Sequence, residues 1–261
     1  MISRFSFARF FVTMLPALPA LGLFAACSSS NSTAVVVVPG ADGGTADGPA
    51  ADAPTGGGTQ CTKARDDLLL PIDKTSTGKV SIVEEKGDVK TLYIDASAGG
   101  LNNAAKNPRI YVDLATGTAV ALTDKTAPES TAWDLAIKRD VLFTNSGDTG
   151  IGQGGAVQIA KPFASVTATE ANAAQVEKEY LFNDECEPQL DDTGAPSTTF
   201  ASPPWYDYDQ VTHIPAPKDV TYVVVGGTGK KYKVGIKAYQ GLPDGGVGQA
   251  GANYVIQVTA L

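Results

Sequence analysis

The amino-acid sequence predicts an all-β fold built mainly from antiparallel hairpins, with at most one or two short helices. Most of the chain after residue 61 alternates apolar and polar residues with a period of two, which is typical of strands with one buried face. Glycine-rich turns separate these stretches, as GGTG does at 226–229. Helical periodicity is scarce, so we expect hairpin connections between the strands.

Each predicted element depends on a short local pattern. The predicted strands, in chain order, are 80–85, 89–95, 109–114, 118–123, 133–143, 156–160, 220–225, 230–239 and 253–261. Within 133–143, WDLAIKRDVLF, the pattern predicts that Trp133 and Leu135 face the core and that Asp134 and Asp140 face solvent, with Arg139 as an exception on the apolar face. Only 170–182, EANAAQVEKEYLF, has a helical pattern, and it predicts a short helix.

The amino terminus has the pattern of a bacterial lipoprotein signal. Two arginines precede an apolar run that ends in two alanines before Cys27, so we expect residues 1–26 to be removed and Cys27 to be lipidated. Simple secretion without lipidation is the alternative. Residues 27–60 are rich in Ser, Gly, Ala and Asp and predict a disordered tether, followed by a single β domain at 61–261.

Charge and cysteine content restrict the classes of function. The predicted signal contains two arginines and no acidic residue, so its removal changes the net charge from −8 to −10, which argues against nucleic-acid binding. Cys61 and Cys186 remain, and in an oxidising compartment they are able to form a disulfide. Closing the loop between them would stabilise the folded chain by about 4–5 kcal/mol. Two unpaired thiols are the alternative.

Motifs that resemble catalytic or nucleotide sites lack their required context. GIGQGG at 150–155 matches G-x-G-x-x-G, but a strand pattern follows it where a phosphate-binding helix would be needed. We therefore expect a wide loop in which Asn145 and Gly147 are able to take positive φ. His213 is the one histidine of the chain, and Cys186 lies among carboxylates that disfavour a thiolate, so we expect no enzyme activity.

The segment 203–217 contains the best candidates for ligand binding. Trp205, Tyr206 and Tyr208 are clustered in PPWYDYD, and His213 follows shortly before IPAP. Aromatic clusters of this kind either stack on a flat ligand or close the edge of a core. The sequence leaves both interpretations open.

Four motifs in this order resemble the HmuY-like family of exported haem-binding lipoproteins. They are YVDLATG at 111–117, WDLAIKRDVLFTNSG with GQGGA at 133–156, WYDYD with HIPAP at 205–217, and TYVVVGGTGKKYKVGIKAY at 221–239. The resemblance covers about residues 80–261. It implies an all-β fold whose projecting hairpins hold haem, and it implies that the glycine stretch is a loop between strands.

The resemblance also implies a function, namely binding haem or a related tetrapyrrole at the cell surface and passing it to an outer-membrane receptor. Two histidines or methionines ligate iron in the family, whereas this chain has only His213, and Met1 and Met14 lie in the predicted signal. The open choices are His213 alone, His213 with a tyrosinate from Tyr206 or Tyr208, capture without an iron ligand, and one haem shared by two copies. The alternative function is a structural or adhesive lipoprotein, anchored at the outer membrane, that has lost haem ligation.

Overall fold

The computed structural model describes residues 61–261, which form two packed antiparallel sheets, a small hairpin and two short helices. The helices are α1, Thr62–Leu69, and α2, Ala168–Ala173. The strands are β1 (Val80–Lys86), β2 (Val89–Asp95), β3 (Ile110–Asp113), β4 (Thr118–Val120), β5 (Leu135–Lys138), β6 (Val141–Thr144), β7 (Gly155–Ile159), β8 (Tyr206–Tyr208), β9 (Pro215–Pro217), β10 (Thr221–Val225), β11 (Lys231–Ala238) and β12 (Asn253–Ala260). The predicted signal peptide, Cys27 and the predicted tether lie outside the described residues.

The predicted fold class is confirmed. A six-stranded sheet has the order β1-β2-β12-β11-β10-β7, a four-stranded sheet has the order β4-β3-β5-β6, and β8 pairs with β9. Every strand pair in these three sheets is antiparallel. Among the described residues, no helix has the length and apolar character needed to cross a bilayer.

The main core lies between the two larger sheets. Alternate residues of the inner strands point into it, because side chains of a strand alternate between its two faces. The large sheet contributes Leu92, Ile94, Val224, Val234 and Ile256, and the small sheet contributes Ile110, Val112, Leu135, Ile137 and Leu142. Burial of this apolar surface is the main force that holds the two sheets together.

Two smaller clusters cover the outer faces of the sheets. Trp133 and Phe143 lie on the outer face of the four-stranded sheet, where Leu181, Phe182 and the half-buried side chains of α1 pack against them. A disulfide between Cys61 and Cys186, with Cα atoms 5.3 Å apart, fastens the start of α1 to this layer. Because α1 has no fully buried residue, the disulfide is a major part of its attachment.

Three local predictions were wrong. Residues 133–143 are two strands joined by a turn at Arg139, where φ is +58°, and not one alternating strand. Asp134, predicted to face solvent, is only 5% exposed, because backbone N–H groups of two separate segments donate to its carboxylate. The helix predicted over 170–182 ends at Ala173, because the chain beyond it is extended and Glu177 pairs with Ala156. The helix α1 was not predicted.

Candidate functional site

The three candidate binding residues lie on one hairpin, formed by β8 and β9. Tyr206 lies opposite Pro217 and Tyr208 lies opposite Pro215, so the two tyrosines are two residues apart on one strand and share a face. The turn between the strands contains His213, with a φ of +59°. We call residues 206–217 the aromatic hairpin.

Asp209 organises the turn of the aromatic hairpin. Its carboxylate accepts hydrogen bonds from the backbone N–H groups of Val211 at 2.7 Å and Thr212 at 3.1 Å. These bonds lower the pKa of Asp209. Its carbonyl oxygen accepts a hydrogen bond of 2.8 Å from the N–H of His213. The turn is therefore held by its own hydrogen bonds, and they place His213 beside β8.

Tyr206 anchors the root of the aromatic hairpin in the main core. Its ring lies edge-on against the buried Trp205, with ring centroids 4.7 Å apart, and the indole N–H of Trp205 donates to the carbonyl of Asp140 at 3.1 Å. Trp205 in turn packs against Tyr239 and Tyr254. Burial, followed by the nearby Asp140, raises the pKa of Tyr206, so the phenolate form that would bind iron is disfavoured.

Tyr208 and His213 form a polar pair near the tip. Tyr208 Oη lies 3.1 Å from His213 Nδ1, and both side chains are exposed, Tyr208 by 46%. Because Nδ1 contacts the phenol, Nε2 is the ring nitrogen that remains available to a metal ion, as in metal-binding histidines whose other nitrogen is held by a neighbour. The direct contact leaves no space for an iron atom between the two side chains. In this arrangement they are not opposite ligands of one iron.

An apolar residue that sequence reasoning missed completes the tip. Val211, between Asp209 and His213, is 87% exposed. The local sequence DQVTH gives a weak signal for it, since one valine among polar residues is common in loops. Together, Val211, Tyr208 and His213 present an aliphatic group, a phenol and an imidazole to solvent on one small projection.

The cavity beside the hairpin root is too small for a porphyrin. It has a volume of about 30 Å³, enough for about one or two water molecules, and Trp205, Tyr206 and Phe200 are among the residues that line it. A larger cavity of about 180 Å³ lies under α1, where it contacts Tyr111 and Trp133. His213 lines neither of these cavities, nor the cavities of about 650 Å³ beside Glu179 and about 270 Å³ beside Phe163, so a flat ligand of this site would contact the open surface of the hairpin.

The glycine-rich stretch is a structural loop around Asn145, which is fully buried. The Asn145 side chain donates to the carbonyl oxygens of Ser130 at 2.8 Å and Trp133 at 3.0 Å and accepts the N–H of Gly152 at 3.0 Å. A Cβ atom at Gly152 or Gly154 would collide with Asn145. Strand β7 starts at Gly155, so no helix is present there to receive a phosphate.

The positive φ predicted within this loop is correct for Gly147, at +53°, and wrong for Asn145. The buried hydrogen bonds of Asn145 hold it in an ordinary conformation, so its role is to close the loop. Within residues 61–261, no three His, Cys, Asp or Glu side chains converge in a way that would hold a metal ion.

Comparison with known proteins points to one family. The family model described as HmuY protein matches residues 105–254, more than half of the chain. No curated protein matches the chain. One similar solved structure is a candidate lipoprotein from Bacteroides fragilis NCTC 9343, with 16% identity over 68% of this chain and 94% of that chain and a TM-score of 0.41. A second is a candidate HmuY-like haem-binding protein from Bacteroides vulgatus ATCC 8482, with 17% identity over 68% of this chain and 96% of that chain and a TM-score of 0.39. A third is the apo HmuY analogue of Tannerella forsythia, with 15% identity over 67% of this chain and 99% of that chain and a TM-score of 0.39.

Proposed function

The chain belongs to the HmuY family, and from that premise we propose that it captures haem or a related tetrapyrrole at the cell surface through the aromatic hairpin. The family resemblance drawn from the sequence motifs is thereby confirmed. Capture, anchoring and delivery to an outer-membrane receptor are our proposal. The cycle is one of binding and release, in which no bond of the porphyrin is made or broken.

The observation that carries this proposal is the contact between Tyr208 and His213. The phenol at 3.1 Å orients the imidazole through Nδ1 and leaves Nε2 to bind the iron. Tyr208 and Val211 offer exposed apolar surface beside that nitrogen, against which a porphyrin plane is able to pack. We therefore assign His213 as the iron ligand and Tyr208 as the residue that positions it, while Tyr206 anchors the hairpin.

The lipid anchor is proposed from the sequence alone. Diacylation of Cys27 would tie the domain to the outer membrane, and two or more acyl chains are sufficient for stable attachment. Metabolic labelling with palmitate is expected to mark the full chain and not the Cys27→Ser variant. Equal labelling of both would exclude this anchor.

Haem titration of the full chain, purified in mild detergent, tests the proposed site. We expect ferric haem to give a shifted Soret band that His213→Ala abolishes, because the iron ligand is lost. Tyr208→Phe should weaken binding by about tenfold, since it removes only the hydrogen bond that orients the ligand. The matched control is Tyr180→Phe, which removes the hydroxyl of another exposed tyrosine.

The outcomes of this titration are distinct. Absence of a Soret shift at micromolar wild-type protein would rule out haem capture. A shift that survives in His213→Ala would assign the ligand to another residue. Detergent blanks without protein correct for haem taken up by micelles.

A structural or adhesive surface lipoprotein is the second candidate. The observation that favours it is the small cavity beside the hairpin, which has no room for a porphyrin. In that case the exposed tip, with Val211 and Tyr208, would contact another macromolecule, and no haem would bind. The same titration distinguishes the two candidates.

A further inference from the structure

We propose that the cavity under α1 binds a small aromatic carboxylate, that is, a molecule with one ring and one carboxylate group. This site is separate from the aromatic hairpin, and the proposal does not depend on haem capture. It follows from the size of the cavity, from its aromatic walls and from hydrogen-bond donors of Arg109 that have no partner.

The size and the walls of the cavity suit a single ring. Its volume is about 180 Å³, and an apolar cavity of about 150 Å³ in another protein holds benzene. Tyr111, Trp133 and Phe143 line it, and each is almost fully buried. The rings of Tyr111 and Trp133 meet edge to face, with centroids 5.2 Å apart. Water finds few hydrogen-bond partners on such walls, whereas an aromatic ring packs against them.

Arg109 supplies the polar part of the site. Its side chain lines the cavity and is only 9% exposed. One N–H group donates to the carbonyl of Leu69 at 2.8 Å, a second pairs with Asp124 at 3.3 Å, and a third bonds the hydroxyl of Tyr111. A guanidinium has five N–H groups, which leaves two without a partner among residues 61–261. Buried donors without partners are costly, and a planar carboxylate matches such a pair of N–H groups.

The acidic residues of the cavity disfavour an amine in this position. Asp124 Oδ1 accepts hydrogen bonds from the N–H of Arg109 at 3.0 Å and from the hydroxyl of Tyr111 at 2.9 Å. Its Oδ2 accepts one from the N–H of Ile72 at 3.2 Å and also faces the Arg109 guanidinium. Four contacts use the whole acceptor capacity of a carboxylate. The other acid that lines the cavity, Asp66, is exposed, so the buried part of the site offers donors and no acceptor to a ligand.

Two further cations line the cavity where it meets solvent. Lys125 is exposed and is paired with Asp73 at 3.4 Å. Arg65 is half-buried and lies 3.9 Å from Asp66, which is a loose ion pair. Asp148 also interacts electrostatically with Arg65 but does not line the cavity. Three basic and two acidic side chains therefore line the cavity, and a ligand with one negative charge balances them.

Titration calorimetry with benzoate, on the full chain in mild detergent, tests the proposal. We expect one benzoate per chain, with a dissociation constant of about 0.1–1 mM, and a change in tryptophan fluorescence, because Trp133 lines the cavity. Benzylamine has the same ring and the opposite charge, and acetate lacks the ring. Each should bind at least about tenfold more weakly than benzoate. Detergent without protein provides the blank.

Two variants locate the ligand, each with a matched control. Ala136→Leu fills the cavity, which Ala136 lines, and should abolish benzoate binding. Ala105→Leu makes the same change at an exposed position outside the cavity and should bind like the wild type. Arg109→Lys keeps the charge and loses the planar fork, so we expect binding about tenfold weaker. Its control is Arg139→Lys, which changes a side chain that donates to the carbonyl of Gly251.

The outcomes decide the proposal even if one variant fails to fold, since the ligand series uses the wild type. Absence of benzoate binding to the wild type at millimolar concentration overturns it. Benzylamine binding as tight as that of benzoate also overturns it, because the donors of Arg109 would then not select the ligand. Benzoate binding by folded Ala136→Leu equal to that of Ala105→Leu places the ligand elsewhere, with the same consequence. None of these results bears on haem capture, which its own titration tests.

Discussion

Glu179 provides the sharpest test of the energetics of this fold. Its side chain is buried, 1% exposed, between Thr144 at the end of β6 and Thr199. Oε1 accepts hydrogen bonds from Thr144 N and Oγ1, both at 3.1 Å, and from Thr199 Oγ1 at 2.8 Å, and Oε2 accepts one from Thr199 N at 3.1 Å. Burial nevertheless raises the pKa of Glu179 to about 7.

The direction of the pH effect follows from that raised pKa. The folded chain binds the Glu179 proton more tightly than the unfolded chain, whose carboxyl has a pKa near 4.5. The resulting stability is fully present below about pH 4.5 and is lost as the pH rises through 7. A pKa difference of this size corresponds to about 3 kcal/mol. Burial also raises the pKa values of Asp134 and Asp148, so their contributions have the same sign.

The variant Glu179→Gln isolates this contribution because glutamine has the same shape and no charge at any pH. Between pH 5 and pH 8, the free energy of unfolding measured with urea is expected to fall by about 2–3 kcal/mol more in the wild type than in the variant. Glu177→Gln is the matched control, since that side chain is exposed two residues away. If the wild type and Glu179→Gln give parallel curves, Glu179 is ionised in the folded chain and the reasoning fails.

Two further predictions concern the disulfide and the glycine loop. Replacing Cys61 and Cys186 by serine should lower the free energy of unfolding by up to about 5 kcal/mol, because the bond closes a loop with a sequence separation of 125; an unchanged urea midpoint would show that α1 is held by other contacts. Gly154→Ala should destabilise the chain by about 2–3 kcal/mol, because the added methyl overlaps the backbone of Asn145. Gly246→Ala, in an exposed loop, is its control and should leave the melting temperature nearly unchanged.

Strands and turns were predictable because their signals are local. The strand predicted at 89–95 coincides with β2, and the hairpin predicted around GGTG at 226–229 differs from the bounds of β10 and β11 by at most one residue at each end. Each pattern expresses a choice between two faces of a strand, which the neighbouring residues decide. The helix at 170–182 was less predictable, because its second half pairs with a distant strand and becomes extended.

The candidate site was predictable in composition and not in geometry. Tyr206, Tyr208 and His213 lie in one short segment, so any hairpin there brings them together. Their different roles depend on distant residues. Tyr206 is held in the core through Trp205, which reaches Asp140, whereas Tyr208 projects and contacts His213.

Antiparallel hairpins and a single histidine among aromatic residues follow from local patterns in the amino-acid sequence. Burial of Asp134 and Glu179, closure of the glycine loop by Asn145 and exposure of His213 follow from contacts that form only in the folded chain. The alternation of apolar and polar residues along a strand depends only on residues that are close in sequence. Burial of a charge and the direction of a side chain depend on partners from distant segments, which meet only when the two sheets pack.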